Sequence, residues 1–456
     1  MVEQVDTSFF LPSVFPRQLS GPAARVLHLH DQLKSFEELD QNDQERLLYT
    51  QLENLLTHAK RYSPFWSERL KSWAGQGFPV KELLSLLPEL SRRELQSRFD
   101  ELSANFPHRK RMHTSTLVTS GSTGTPVSIE HLVEIHNPLQ CAAMLLTSRW
   151  HKIEPNKPTG TLRPKVEDND RVPLGYPFRW YGPVAMGFSC QTADRDYGEI
   201  YDYCAKRNPS YLLAGPTLLR NLARFAIRNG RNDLRPEVAL SYGSVVTNEI
   251  REIVRDGLST KIVNRYSSEE TGIIAIQCPT NDHLHVLSPL VFVEIVDDSG
   301  AECPIGQPGR VLVTNMHSYG MPLIRYDIGD IAEWGEPCDC GIALPVIKEL
   351  WGRKRHNITD PDGRTRFVKV IFARDFEDTW NIEEYCFVLH QNAVVVAYLR
   401  AKEPSQKLSD TIVQMVQKAL GYPYPVKVHF VSEIDWGLSW KKEAFSVSDS
   451  PPPEIP

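Results

Sequence analysis

Two stretches of the chain hold enough donor atoms, closely enough spaced, to do chemistry. The first is Leu117-Val118-Thr119-Ser120-Gly121-Ser122-Thr123-Gly124-Thr125-Pro126. Two glycines and five hydroxyl residues fall within the seven positions 119–125. Glycine allows positive φ and lets backbone N–H groups approach an anion, while hydroxyls add donors that adapt to phosphate oxygens. The stretch has neither the G-x-x-x-x-G-K spacing of a Walker A loop nor a G-x-G-x-x-G fingerprint. Taken alone, it reads equally as a surface turn between two strands. The second stretch is Cys338-Asp339-Cys340-Gly341, a thiol pair in a turn, with Cys278, His283 and His285 upstream. Thiolate and imidazole donors suit tetrahedral Zn²⁺, and four protein ligands without an open position imply a structural site. Cys141, Cys190, Cys204, Cys303 and Cys386 read as packed or isolated thiols.

The elements that must position these residues follow from patterning over 456 residues, a length for two or three domains. Lys and Arg number 51 against 57 Asp and Glu, a net charge of −6, which lacks the global electrostatics of a nucleic-acid or anionic-membrane binder. No apolar run reaches the roughly 18 residues of a membrane span, the first residues lack the layout of a secretory signal, and eight cysteines are too sparse for a disulfide scaffold. A cytoplasmic globular enzyme is expected. Residues 1–40 show no clear period and read as an arm. Leu48, Leu52, Leu55, Leu56 and Ala59 mark one helical face, and Ser91 before Arg92-Arg93-Glu94 reads as a helix cap, with another short helix around Leu83–Leu87. The middle alternates strand and helix: Tyr211–Ala214, then a helix carrying Leu218, Leu219, Leu222 and Phe225, a helix over 248–254 and a strand over 261–264. Beyond about residue 285, β-branched runs broken by Asp-Asp-Ser-Gly predict antiparallel hairpins. A boundary falls near Gly352-Arg353, followed by strand 393–399, helix 408–420 ending at Gly421, and strand 426–431. The predicted fold class is α/β, a large domain of mixed sheets covered by helices plus a β-subdomain, followed by a small α+β domain.

The Thr-Ser-Gly-Ser-Thr-Gly-Thr-Pro string resembles the phosphate loop of the adenylate-forming superfamily of acyl-CoA synthetases and adenylation domains. Further signatures follow in order. Tyr242-Gly243-Ser244 is similar to the segment lining the purine, and Tyr266-Ser267-Ser268-Glu269-Glu270 to the Tyr-Gly-x-Ser/Thr-Glu motif. Arg325-Tyr326-Asp327-Ile328-Gly329-Asp330 is similar to the Tyr-Arg-x-Gly-Asp motif, and Gly352-Arg353 to the hinge. The resemblance spans roughly residues 80–445. The phenylacetate–CoA ligase-like branch is indicated by Tyr-Ser-Ser-Glu-Glu, Met-Pro-Leu-Ile-Arg-Tyr and Cys-x-Cys-Gly.

The resemblance implies a large ATP- and acid-binding domain over 1–351 and a mobile lid over 352–456, hinged at 352–355. It implies activation of a carboxylic acid, with an aromatic acid favoured, by ATP with Mg²⁺ and transfer to coenzyme A. An amine or a carrier-protein thiol is the alternative acceptor; an inactive, zinc-stabilised nucleotide-binding protein is the alternative of another class. Thr119, Ser120, Gly121, Ser122, Thr123 and Gly124 would hold the β- and γ-phosphates. Gly243, Ser244 and Tyr266 would bind the purine, Asp330 the ribose hydroxyls, Glu270 the Mg²⁺, and Arg353 ribose or phosphate at the pivot. Lys441, with Lys442 in reserve, would bring an ammonium to the developing charge. By analogy with the branch, the zinc ligands are Cys278, His285, Cys338 and Cys340, with His283 as the alternative histidine. The departures are Ser267 in place of glycine, Glu269 in place of a hydroxyl, Arg355 in the hinge and Trp440 before the lysine. Lys354, Arg355, His356, Arg364 and Arg366 form a basic cluster that reads either as a solvated face or as a contact for the coenzyme A 3′-phosphate. Trp150, Trp180, Tyr181 and Phe188 are candidates for an aromatic pocket or for core.

Overall fold

The computed structural model describes residues 21–73, 84–118, 127–154, 157–164, 166–173, 186–193, 195–353, 357–363, 365–367, 382–391, 393–434, 445–448 and 450–452. The expected helix at 41–62 forms, started by the Asp40 side chain accepting from Asp43 N, and Leu52, Leu55, Leu56 and Ala59 are fully buried. Each buried leucine contributes about 1.5–3 kcal/mol of apolar transfer. Ser91 makes a full capping box with Glu94 at the head of the short helix Arg92–Ser97. The reading of residues 1–40 as an arm is corrected over Gly21–Glu37, a helix whose Val26, Leu33 and Phe36 are buried. Its face escaped notice because Arg25, His28 and His30 interrupt a short apolar stripe, and burial against other elements rather than amphipathic contrast stabilises it.

A hairpin of β1 (Thr114–Val118) and β2 (Ser128–Leu132), paired from Thr114↔Leu132 to Val118↔Ser128, carries the hydroxyl-rich stretch between its arms. The main sheet has twelve strands. They are β3 (Thr159–Arg163), β4 (Asn169–Pro173), β5 (Met186–Gln191), β6 (Tyr211–Ala214), β7 (Val238–Ser241), β8 (Lys261–Ser268), β9 (Gly272–Gln277), β10 (Leu284–Val286), β11 (Val291–Val296), β12 (Pro308–Asn315), β13 (Tyr326–Trp334) and β14 (Val346–Arg353). Their spatial order is β11-β12-β13-β14-β10-β9-β8-β7-β6-β3-β5-β4. Strands β5, β3, β6, β7 and β8 run parallel, joined partly through helices Pro216–Arg228 and Asn248–Leu258 as the βα alternation predicts.

The change to antiparallel pairing comes earlier than the expected residue 285. The first half of β8 pairs parallel with β7 through Ser241↔Asn264, and its second half pairs antiparallel with β9 from Arg265↔Ile276. A strand serving two neighbours of opposite sense has no local signature, since its hydrophobic pattern is set by its faces rather than by its partners.

After a two-stranded pair, β15 (Asn357–Thr359) and β16 (Thr365–Phe367), comes a second sheet in the order β19-β18-β17-β20. It is built from β17 (Ile382–His390), β18 (Val394–Ala401), β19 (Val426–Phe430) and β20 (Phe445–Ser448). The helix Gln406–Leu420, capped by Ser405 and ended by Gly421 at φ +64°, crosses between parallel β18 and β19. Ile412 and Val416 are buried in a core of their own with Phe387 and Leu399, as the pattern predicts.

Candidate functional site

Tyr266 leaves β8 and donates its hydroxyl proton to Asp330 Oδ2 on β13 at 2.7 Å, with both side chains buried. Asp330 sits opposite Arg353 in the β13–β14 ladder, beside Gly352 at φ +103°. The turn from β8 to β9 carries Glu270, which is buried and ion-paired with Arg92 at 3.5 Å. Ser268 Oγ accepts from Thr271 N at 3.1 Å, fixing that turn. Gly272 then starts β9 at φ +82°, where a Cβ would fall 2.2 Å from the Gln140 amide, so only glycine lets Gln140 accept from Ile273 N at 2.8 Å. His131 of β2 donates from Nε2 to the Glu269 carbonyl at 2.9 Å, so the hairpin and the Glu270 turn are tied together. Burial holds His131 below the ordinary histidine range, and its ring stacks 3.9 Å from His136. The Glu269 side chain is exposed.

The thiols and imidazoles also converge. Cys278 follows β9, His283 and His285 lie at β10, and Cys338 and Cys340 lie between β13 and β14. Donor atoms of Cys278, His283, His285 and Cys338 all fall within 4.8 Å of one another. Cys278 Sγ is 3.8 Å from Cys338 Sγ, and Cys340 Sγ is 3.3 Å from His285 Nε2. Those separations match the edges of a tetrahedron built on Zn–S and Zn–N bonds, about 3.3–3.8 Å. His285 Nδ1 donates to the Leu344 carbonyl at 3.2 Å, which directs the Nε2 lone pair inward, and burial pushes its pKa down to about 4. His283 Nε2 is buried without a hydrogen-bond partner. Burial pushes the Cys340 thiol up to about 12; at Cys278 burial acts the same way, but hydrogen bonds from Thr280 and Asn281 outweigh it and the thiol sits below its ordinary value.

No protein-family model matches the chain. Among solved structures, 2-hydroxyisobutyryl-CoA ligase in the postadenylation state superposes with a TM-score of 0.68 at 15% identity, covering 97% of each chain. The anthranilate CoA ligase AuaEII, in complex with anthranoyl-AMP, gives 0.54 at 17% identity over 74% of this chain and 66% of that one. The chain has the adenylate-forming ligase fold. The protein CapK of Staphylococcus aureus is 22% identical over 426 residues, 88% of each chain, and the phenylacetate-coenzyme A ligase of Thermus thermophilus is 27% identical over 178 residues, 38% of each.

Within this adenylate-forming fold the ordered motifs divide into those the structure describes and those outside it. Tyr266 and Asp330 meet between β8 and β13, and Glu270 lies on the turn that follows β8, paired with Arg92. Gly243, at φ +84°, and Ser244 are exposed just past β7. Thr119, Ser120, Gly121, Ser122, Thr123 and Gly124 lie outside the described residues, as do Lys441, Lys442, Trp180, Tyr181, Lys354, Arg355, His356 and Arg364; of Arg353 and Arg366 only the backbone is described. Trp150 and Phe188 are buried in two separate cores. The sequence reading missed Arg92 and His131 as neighbours of Glu270. The cap at Ser91 set Arg92 in a first helical turn, but no local signal pointed it at Glu270.

Proposed function

We propose that the chain is an AMP-forming ligase that activates a carboxylic acid with ATP and transfers the acyl group to coenzyme A. The substrate carboxylate oxygen attacks the α-phosphorus, the α–β phosphoanhydride bond breaks, and pyrophosphate leaves with the bond pair. The coenzyme A thiolate then attacks the acyl carbonyl, and AMP leaves. The reading rests on one observation above the rest, the Tyr266–Asp330 hydrogen bond beside the Glu270 turn. It joins two motifs distant in the chain at a carboxylate suited to ribose hydroxyls. Tyr266 orients Asp330; Glu270, paired with Arg92 here, would exchange that guanidinium for Mg²⁺, which supplies charge neutralisation at the phosphates. The hydroxyl-rich turn of residues 119–124 would cradle the phosphates, Gly243 and Ser244 would line the purine, and Arg353 would mark the pivot. The lid, residues 352–456, would deliver Lys441. The resemblance to phenylacetate–CoA ligases favours an aromatic acid. The free cysteines suit the reducing cytoplasm.

Acid-dependent ATP–pyrophosphate exchange tests this reading. Exchange with at least one member of a carboxylic-acid panel, lost at least about 100-fold in Lys441→Ala, is the expected result; no exchange with any acid overturns it.

Zinc fits the Cys/His cluster, held by Cys278, Cys338 and His285 with Cys340 or His283 in the fourth position. Bound there, it would tie the β9–β10 turn to the β13–β14 connection and so brace the strands carrying Glu270 and Asp330. Metal analysis is expected to give one zinc per chain, and Cys338→Ser to lose it together with thermal stability. Clearly substoichiometric zinc in protein purified without chelator would sink the assignment.

A further inference from the structure

At the carboxyl edge of the parallel strands, two arginines flank one tyrosine with no counter-charge among the described residues. Leu162, Ala239 and Ile262 point into the helix-covered core, whereas Val238, Val263 and the partly buried Leu240 pack with Ile153 and Tyr211 on the opposite face. Side chains alternate along a strand, so Arg163 at the end of β3, Tyr242 just past β7 and Arg265 on β8 all leave the sheet on that second face. The Arg163 guanidinium lies over the Tyr242 ring at 5.3 Å. Arg265 Nε is buried with no hydrogen-bond partner, and neither guanidinium has an ion-pair partner among the described residues. Burial, then the nearby Arg163 charge, holds Arg265 below the usual guanidinium range. Between β3 and β7, β6 ends just before Gly215, where an added Cβ would meet nothing closer than the Tyr242 carbonyl at 3.9 Å, which leaves room beside the tyrosine. Arg163 is exposed and gives a route in from solvent.

Two like charges, one of them desolvated, cost stability unless an anion joins them. The carboxyl ends of parallel strands are where open α/β sheets bind ligands. We propose that Arg163 and Arg265, flanking Tyr242, form an oxyanion subsite for a second anionic group of the acid substrate, a distal carboxylate or phosphate. This rests on the ligase reading above. The reacting carboxylate itself is a poor occupant, because guanidiniums engaging its oxygens would blunt the nucleophile that must reach phosphorus; a spectator anion gains affinity and orientation from the same contacts. Tyr266, one residue after Arg265 and on the other strand face, turns toward Asp330, so the ribose carboxylate and the arginine pair are served by opposite sides of β8.

The test uses the full chain with succinate, glutarate and 3-phosphonopropionate as probes, against butyrate and pentanoate of matched length. Calorimetric titration without nucleotide should show the dianions binding and the monoacids not, and Arg163→Gln or Arg265→Gln should weaken the dianions about 10- to 100-fold, the range for a lost charged hydrogen bond. In pyrophosphate exchange, the KM for the best diacid should rise by the same factor while the KM for ATP moves less than twofold. Circular-dichroism melts verify the fold of Arg265→Gln, and exposed Arg163 supplies a variant with little bearing on folding. Equal dianion binding by wild type and both variants overturns the subsite. A rise in KM for ATP or coenzyme A instead of the acid overturns it as well, since the pair would then serve a nucleotide phosphate. Exchange that treats diacids and monoacids alike and ignores both variants removes the subsite and leaves the ligase. Variant-sensitive dianion binding in a chain that exchanges no acid leaves the subsite and removes the ligase.

Discussion

The antiparallel half of the large sheet and the edge where its parallel strands end treat arginines differently. In the antiparallel half Arg310 donates to Glu89 at 2.7 Å and to Asp327 at 3.2 Å, and Arg325, 3% exposed, donates to Glu294 at 3.1 Å. Where the parallel strands end, Arg163 and Arg265, the latter the first residue of β8 to pair antiparallel, flank Tyr242 with no carboxylate partner among the described residues. A buried arginine matched by carboxylates is a structural device: removing one side strands the other in low dielectric. A pair of cations left unmatched serves folding badly and ligand binding well. The contrast separates arginines that hold the sheet from arginines that wait for an anion.

The largest effect that sharpens this comparison is on stability. Arg325→Leu should lower the unfolding free energy by about 3–5 kcal/mol, because partly buried Glu294 loses the cation it pairs with and the Leu87 carbonyl loses a donor. Arg265→Leu in ligand-free protein should change it by less than about 1 kcal/mol, or raise it, because a repulsion is removed. Urea denaturation measures both, and equal losses would erase the distinction.

The smallest effect concerns groups that avoid charge altogether. Burial and the stacked His131 push His136 down to about 3. Its folded pKa lies below the unfolded value near 6.5, so below that pH the unfolded state takes the proton first. The stability is therefore complete above about pH 6.5 and is lost as pH falls toward 3. His136→Gln should flatten the decline between pH 7 and 5 by about 1 kcal/mol, read from urea midpoints at each pH. An unchanged slope would mean that the stacked pair stays solvated.

Local patterning revealed the helix over 41–62, the Ser91 cap, the βα alternation through 211–264 and the 406–420 helix with its glycine stop, because each depends on neighbours within a few turns of chain. The antiparallel partner of β8 was not legible, since Arg265 to Ser268 look alike whichever strand lies beside them. Nor was the helix over 21–37, whose stripe has meaning only against the elements that cover it. At the site, the motif resemblance named Glu270 and Asp330, and donor types and spacing named the Cys/His group. Their partners, Arg92 for Glu270 and Tyr266 for Asp330, came from strands and helices far apart in the chain. Arg163 and Arg265 carried no signal at all, because an arginine without a counter-charge is recognised only by what does not surround it.

The amino-acid order by itself determined which chemistry is available: hydroxyls and glycines for an anion, carboxylates for a cation and ribose, soft donors for zinc. It also determined the helices and strands that carry them, because propensity, capping and period act over short distances. Tertiary structure decided which of these groups meet and which charges are matched. Burial and long-range pairing set electrostatic cost, and neither exists until strands from opposite ends of the chain lie side by side.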